Sequence, residues 1–148
     1  MRITIHGRHL PGRQFCSDGE LLHNVHVAVQ VGKDSERPVP GDARSATWHV
    51  DVRTVVDGNG ELDLRGPAIH GKRGERFLYL TWGDVDAEGG FAMFRRAKLM
   101  VADIDVDLLA RAARDDGTLR AEVDLTDEHG GPRCARVRAP DVRWSVAG

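Results

Sequence analysis

Apolar residues recur along this chain with a dominant spacing of two. Ile3 and Ile5 alternate with Arg2, Thr4 and His6, and Val25, Val27, Val29 and Val31 alternate with Asn24, His26, Ala28 and Gln30. Trp48, Val50 and Val52 stand against His49, Asp51 and Arg53, and Leu119, Ala121, Val123 and Leu125 against Arg120, Glu122, Asp124 and Thr126. Val142, Trp144 and Val146 close the chain in the same manner. Successive side chains of a strand point to opposite faces, so each run predicts a strand with one apolar and one wet face, as in antiparallel sheets.

The connections fit that reading. Asp57-Gly58-Asn59-Gly60 separates two apolar-patterned runs and predicts a hairpin, because these residues accept the positive φ a tight turn demands. His129-Gly130-Gly131-Pro132 is predicted to join the strands around Val123 and Val137 in the same way. The stretch from Gly32 to Ala46, with Pro38, Pro40 and Gly41, reads as a long polar loop, of a length usually kept for binding or motion.

One segment predicts a helix, at about residues 105–115. Asp105 or Asp107 can cap a run that holds Leu108, Leu109, Ala110, Ala112 and Ala113, and Gly117 follows its end. Before it, in the segment from Phe91 to Ile104, Ala97, Leu99 and Val101 alternate with Arg96, Lys98 and Met100, which favours a strand over an extended helix. The total is about eight or nine strands, too many for one flat sheet. The predicted fold is therefore mainly β, an antiparallel β-sandwich or barrel with one short helix, in a single domain over residues 1–148.

Composition narrows the function classes. A chain of 148 residues buries roughly 70% of its unfolded surface and needs no disulfide or metal to fold. With a net charge of −2 it carries no general attraction for nucleic acid or anionic membranes. An aromatic content of 5% leaves no stacking ladder for single strands. The N-terminus alternates like a strand instead of showing a leader's apolar core, and no apolar run approaches the roughly 20 residues of a membrane span. Cys16 and Cys134 read as bystander thiols of a reducing compartment, so a cytoplasmic protein without a cofactor is expected.

Several stretches imitate functional motifs. Gly66-Pro67-Ala68-Ile69-His70-Gly71-Lys72 matches a phosphate-binding P-loop until Arg73, where a Ser or Thr should hold Mg²⁺. The residues that follow also read as a strand, whereas a P-loop opens into a helix. Asp84-Val85-Asp86-Ala87-Glu88-Gly89 copies the start of a calcium loop, but its twelfth position is Arg95 instead of a bidentate Glu. Cys16, His23 and His26 offer zinc-ligand types, yet residues three apart on a strand face opposite ways, and no metal site is expected.

What remains is a basic loop and a polar face. Lys72, Arg73 and Arg76 among three glycines suit an anion, and the basic run containing Arg95 and Lys98 would join them if both flank one end of the sheet. The alternative is that these cations pair with the acidic residues Asp84, Asp86, Glu88, Asp103, Asp105 and Asp107 on a solvated face. His26 and His49 lie on the polar side of their strands and become acid–base candidates beside Asp51 if that side lines a cavity.

The strings Gly71-Lys72-Arg73-Gly74-Glu75-Arg76-Phe77-Leu78-Tyr79-Leu80-Thr81-Trp82-Gly83 and Phe94-Arg95-Arg96-Ala97-Lys98-Leu99-Met100 resemble those of an uncharacterised bacterial family, largely actinobacterial, classed as a domain of unknown function. The resemblance extends over nearly the whole chain, from Gly7-Arg8-His9-Leu10-Pro11-Gly12 and Asn24-Val25-His26-Val27 to Gly131-Pro132-Arg133-Cys134-Ala135-Arg136-Val137. It implies a stand-alone bacterial domain and transfers no catalytic residue.

Three functional readings follow. The preferred one is a binding or accessory domain that recognises a small anionic ligand or a partner protein near His70, Lys72, Arg73, Arg76, Arg95 and Lys98. The second is a cofactor-independent enzyme using His26, His49 and Asp51 in an enclosed pocket. The third is a homo-oligomeric structural module.

Overall fold

The structure is a computed structural model. It describes residues 1–9, 16–17, 20–21, 25–31, 34–35, 45–71, 75–85, 88, 91–115, 117–125, 135–137 and 141–147. Of residues 9, 16–17, 20–21, 25–31, 34–35, 84–85, 91–95 and 135 it describes the backbone alone. In chain order the strands are β1 (Arg2–His9), β2 (Cys16–Ser17), β3 (Glu20–Leu21), β4 (Val25–Val31), β5 (Asp34–Ser35), β6 (Ser45–Asp51) and β7 (Arg53–Val56). They continue with β8 (Leu62–Arg65), β9 (Phe77–Val85), β10 (Phe91–Met100), β11 (Thr118–Leu125), β12 (Ala135–Arg136) and β13 (Val142–Ala147). A single turn of 3₁₀ helix at Val101–Asp103 and the helix α1 (Val106–Arg114) lie between β10 and β11.

Two open sheets carry the fold. One has the order β13-β11-β1-β6 and the other β12-β10-β9-β4-β5, with short ribbons β2–β3 and β7–β8 beside them. The arrangement is sandwich-like and does not close into a barrel, which decides between the two predicted architectures. Ile3, Ile5, Trp48, Val50, Leu119, Ala121, Val123 and Leu125 of the first sheet face Leu78, Leu80, Trp82, Ala97 and Leu99 of the second in one continuous buried cluster. Leu64 and Ala68 of the β7–β8 region and Leu109 and Ala112 of α1 complete it. Each large side chain removed from water here contributes about 1.5–3 kcal/mol.

The local predictions hold where the residues are described. β6 reads exposed–buried in strict alternation along Ser45–Asp51. The segment from Phe91 is strand through Met100, and α1 begins at the expected acidic cap. Asp105 Oδ1 accepts hydrogen bonds from the N–H groups of Asp107 at 2.9 Å and Leu108 at 3.2 Å. The Gly117 N–H donates to the Ala112 carbonyl at 2.7 Å, closing the helix end. Within the expected polar loop, Asp34–Ser35 pairs with β4 and Ser45–Ala46 already belongs to β6. Other loop residues, like the His129–Pro132 turn, His23 and Cys134, lie outside the described residues.

Two features differ from the sequence reading. First, the pairing of β1 with β11 is parallel, as is that of β10 with β12, although most pairs are antiparallel. Alternation signals only that one face is buried, and that is equally true of either direction. Second, Asp124, expected on the wet face of β11, is buried. Arg8 on β1 donates from Nε to its Oδ1 at 2.6 Å, and Arg143 on β13 from Nη1 to Oδ2 at 3.0 Å. Burial alone would raise the Asp124 pKa, but these hydrogen bonds and the two positive charges outweigh it and hold the carboxyl below its usual range.

Candidate functional site

The β7–β8 ribbon and the loop after it build a concavity rich in arginine. Its turn is the Asp57–Gly60 segment: Asp57 Oδ1 accepts from the N–H groups of Asn59 at 2.8 Å and Glu61 at 3.0 Å, and Gly60 takes a φ of 78°. Counting outward from this turn, Val56 pairs with Leu62, Val55 with Asp63, Thr54 with Leu64 and Arg53 with Arg65. Two arginines therefore stand directly opposite one another at the open end of the ribbon.

From Arg65 the chain turns at Gly66, where a Cβ would meet the Asp51 carbonyl oxygen at 2.9 Å, so the backbone passes close against the end of β6. Pro67, Ala68 and Ile69 follow, and His70 forms an isolated antiparallel bridge with Phe77. Its two bonds, His70 N–H to the Phe77 carbonyl at 2.8 Å and Phe77 N–H to the His70 carbonyl at 3.1 Å, close the basic loop between them. Gly71, at φ 92°, starts that loop in a left-handed conformation. The element that follows the P-loop-like string is thus the strand β9, not a helix.

These segments enclose a cleft of about 530 Å³ lined by Asp51, Val52, Arg53, Arg65, Gly66, Pro67, Ile69 and Arg76. Val52, Pro67 and Ile69 give it an apolar part, and Arg53, Arg65 and Arg76 a cationic one. Arg76 is largely buried, and its Nε lies 2.6 Å from Oδ2 of Asp63, with 15% of each side chain exposed. That Nε–H is not aligned for a hydrogen bond, so the contact is an ion pair. Arg65 Nε lies 3.9 Å from the same carboxylate oxygen. Among the described residues Arg53 has no ion pair, and Asp51, 86% exposed, is engaged by Arg2 at 3.4 Å. Arg53, Arg65 and Arg76 thus share the cleft lining with Asp51, while Asp63 beside it pairs with two of the three arginines.

The sequence-predicted residues divide among several places. Arg76 lines the cleft. His70 and Lys98 meet elsewhere, around Phe77. The His70 ring stacks on Phe77 with centroids 5.9 Å apart, and Lys98 Nζ sits 4.5 Å above the same ring. Arg96 lies over Tyr79 at 4.7 Å. Asp103 pairs with Arg136 and Asp105 caps α1, so neither serves the basic run as the solvated-face reading supposed. Arg95 is on β10 opposite Trp82, and Lys72 and Arg73 lie outside the described residues. Arg53 and Arg65 belong to no basic string and are absent from the sequence-predicted set; the Asp57–Gly60 signal places a hairpin there, and the inclusion of Glu61 in its connection is what brings the two opposite one another.

A match to a family described as a family of unknown function, DUF5990, spans residues 1–147. The chain belongs to the DUF5990 family. This agrees with the resemblance to an uncharacterised family read from the Gly71–Gly83 and Phe94–Met100 strings. No curated protein and no solved structure matches the chain.

The other candidate set of this DUF5990 chain is spread over both sheets. His26 is on β4, opposite Gly83 in the five-stranded sheet, whereas His49 and Asp51 are on β6 of the four-stranded sheet. His49 Nδ1 is hydrogen-bonded to Thr4 Oγ1 at 3.0 Å, and the neighbouring His6 Nδ1 to Thr47 Oγ1 at 2.8 Å. These four side chains line a depression of about 490 Å³ on the outer face of the sheet, with Arg2, Arg120 and Glu122. Among the described residues, no group of three or more His, Cys, Asp or Glu side chains could hold a metal ion. Nor is any helix long and apolar enough to cross a membrane.

Proposed function

We propose that this domain is a binding module for a small anionic ligand, held in the cleft between the β7–β8 ribbon and the Gly66–Arg76 segment. The observation that carries the reading is the direct opposition of Arg53 and Arg65 across the ribbon, with Arg76 in the same cleft. Like charges facing each other across a strand pair cost roughly 0.2–1 kcal/mol. An anion between them removes that repulsion and gains charge-assisted hydrogen bonds from planar, fork-shaped donors. Asp63 pairs closely with Arg76 and more distantly with Arg65, and Arg53 has no ion pair among the described residues.

The rest of the preferred set, His70, Lys72, Arg73, Arg95 and Lys98, would add positive charge that draws anions toward the domain. The enzyme reading is less well supported, because His49 and Asp51 are on an exposed face and His26 belongs to the other sheet.

Thermal unfolding with inorganic phosphate, sulfate and short carboxylates tests the proposal, since a ligand of the folded state raises the melting temperature. The expected result is a rise that Arg53→Gln and Arg65→Gln both reduce. Without ligand, Arg53→Gln should be at least as stable as the parent, because a repulsion is relieved, whereas Arg65→Gln also gives up the contact with Asp63 and should change stability little. If neither variant changes the ligand-induced rise, the cleft is not the anion site.

A further inference from the structure

A second cleft, of about 500 Å³, lies on the other side of the Arg76–Asp63 pair. Its apolar lining comes from Leu62 of β8, from Val101 and Ile104 around the 3₁₀ turn, and from Val106 and Leu109 of α1. Arg76 lines both clefts, so the two concavities meet at its side chain. Val106 is 72% exposed at the start of α1, one of two large apolar side chains among the described residues that stand so far into solvent. Leu109, next along the lining, anchors the helix in the core.

Taken together, the clefts form one compound site with a charge at one end and apolar walls at the other. Arg53 and Arg65 offer an anion paired donors at the outer end. The aliphatic stem of Arg76 offers an apolar surface between the clefts, since long cationic side chains cover apolar groups with their methylenes. Beyond it, the open wall of Leu62 and Val106 has no charge-matched use for a purely polar anion. Asp57, Glu61 and Asp63 border this second cleft. Their negative charge disfavours an anionic group there and orients a ligand with its charged end toward the arginines.

Building on the anion-binding reading, we infer that the ligand is an amphipathic carboxylate. Its head group lies between Arg53 and Arg65, and its unbranched hydrocarbon part passes Arg76 into the cleft under α1. Ligand sites of several hundred Å³ with apolar walls and a few convergent polar groups suit such a molecule.

The test is isothermal titration calorimetry of the whole chain with acetate, butyrate, hexanoate, octanoate and decanoate, each below its micelle-forming concentration, and with inorganic phosphate. The expected affinity rises about fourfold for each methylene buried, until the second cleft is filled. Val106→Asp, a change at an exposed helix position that leaves the core untouched, should flatten this chain-length dependence and leave acetate and phosphate binding within about twofold. The double variant Arg53→Gln/Arg65→Gln should weaken every member of the series.

If acetate or phosphate binds through the arginines but affinity is independent of chain length, the amphipathic ligand is overturned and the anion site stands. The amphipathic ligand is equally overturned if Val106→Asp leaves the chain-length dependence intact. If no member of the series binds, or if the arginine double variant binds them all as well as the parent, the anion-binding reading falls with it.

Discussion

Asp124→Asn isolates the buried carboxylate that ties together three strands of the first sheet. The side chain is 12% exposed, Arg8 approaches it at 2.6 Å and Arg143 at 3.0 Å. Asparagine keeps the shape, but it removes the charge and turns one of the two acceptors into an N–H₂ group facing an arginine donor. Hydrogen bonds to charged groups are worth about 1.5–3 kcal/mol each when sheltered. Here the arginines are 47% and 48% exposed and regain water when the partner is lost. The expected destabilisation is therefore about 1–2 kcal/mol in total, or a melting temperature lower by roughly 3–6 °C for a chain of this size.

The pH dependence has a definite sign. A carboxyl whose pKa is depressed on folding stabilises the fold fully above its unfolded value, here 3.8, and the contribution is lost as pH falls through the lower folded value. Urea unfolding of parent and variant should give a constant difference from about pH 5 to pH 8 that contracts below about pH 4. A difference near zero at pH 7, or one that persists unchanged into acid, would refute the assignment of Asp124 as a charged partner of both arginines.

Gly71→Ala should cost at least about 1–2 kcal/mol, because φ is 92° and a Cβ would lie 2.1 Å from the Glu75 carbonyl oxygen. Gly58→Ala, with nothing within 4 Å of the new Cβ, should stay within about 0.5 kcal/mol in the same denaturant assay. Asp105→Ala removes the acceptor for two N–H groups at the start of α1 and should lower stability by about 1 kcal/mol, with Asp105→Ser restoring most of it. Leu80→Ala at the fully buried centre of β9 should cost about 2–5 kcal/mol, whereas Val56→Ala, at a position 67% exposed, should leave the melting curve nearly unchanged.

Much of the local structure is legible in the residues themselves. The alternation around Ile3, Trp48 and Leu119 identifies which faces are buried, because the period of a strand is a property of the chain and needs no partner. The Asp57–Gly60 turn defines a hairpin, but its register is set by Glu61 joining the connection, so that Arg53 faces Arg65 and not Leu64. That opposition is also inconspicuous in the sequence. Lys72, Arg73 and Arg95 stand in contiguous basic strings, whereas a facing pair separated by 12 residues forms no string at all. Asp105 and the helix it caps are equally readable, because caps act within a few residues of one another.

The sequence by itself determined which strand faces are apolar, where the chain turns at Asp57–Gly60, and that one short helix interrupts a β protein. Only the tertiary structure decided that β1 runs parallel to β11, that Asp124 is enclosed by Arg8 and Arg143, and that Arg76 joins Arg53 and Arg65 at one cleft while His70 and Lys98 gather around Phe77. The physical reason is the range of the forces that select each feature. Turn and strand preferences are set by neighbours in the chain. Strand direction, the burial of a charge and the convergence of three arginines depend instead on which distant surfaces come together, and no local pattern records that choice.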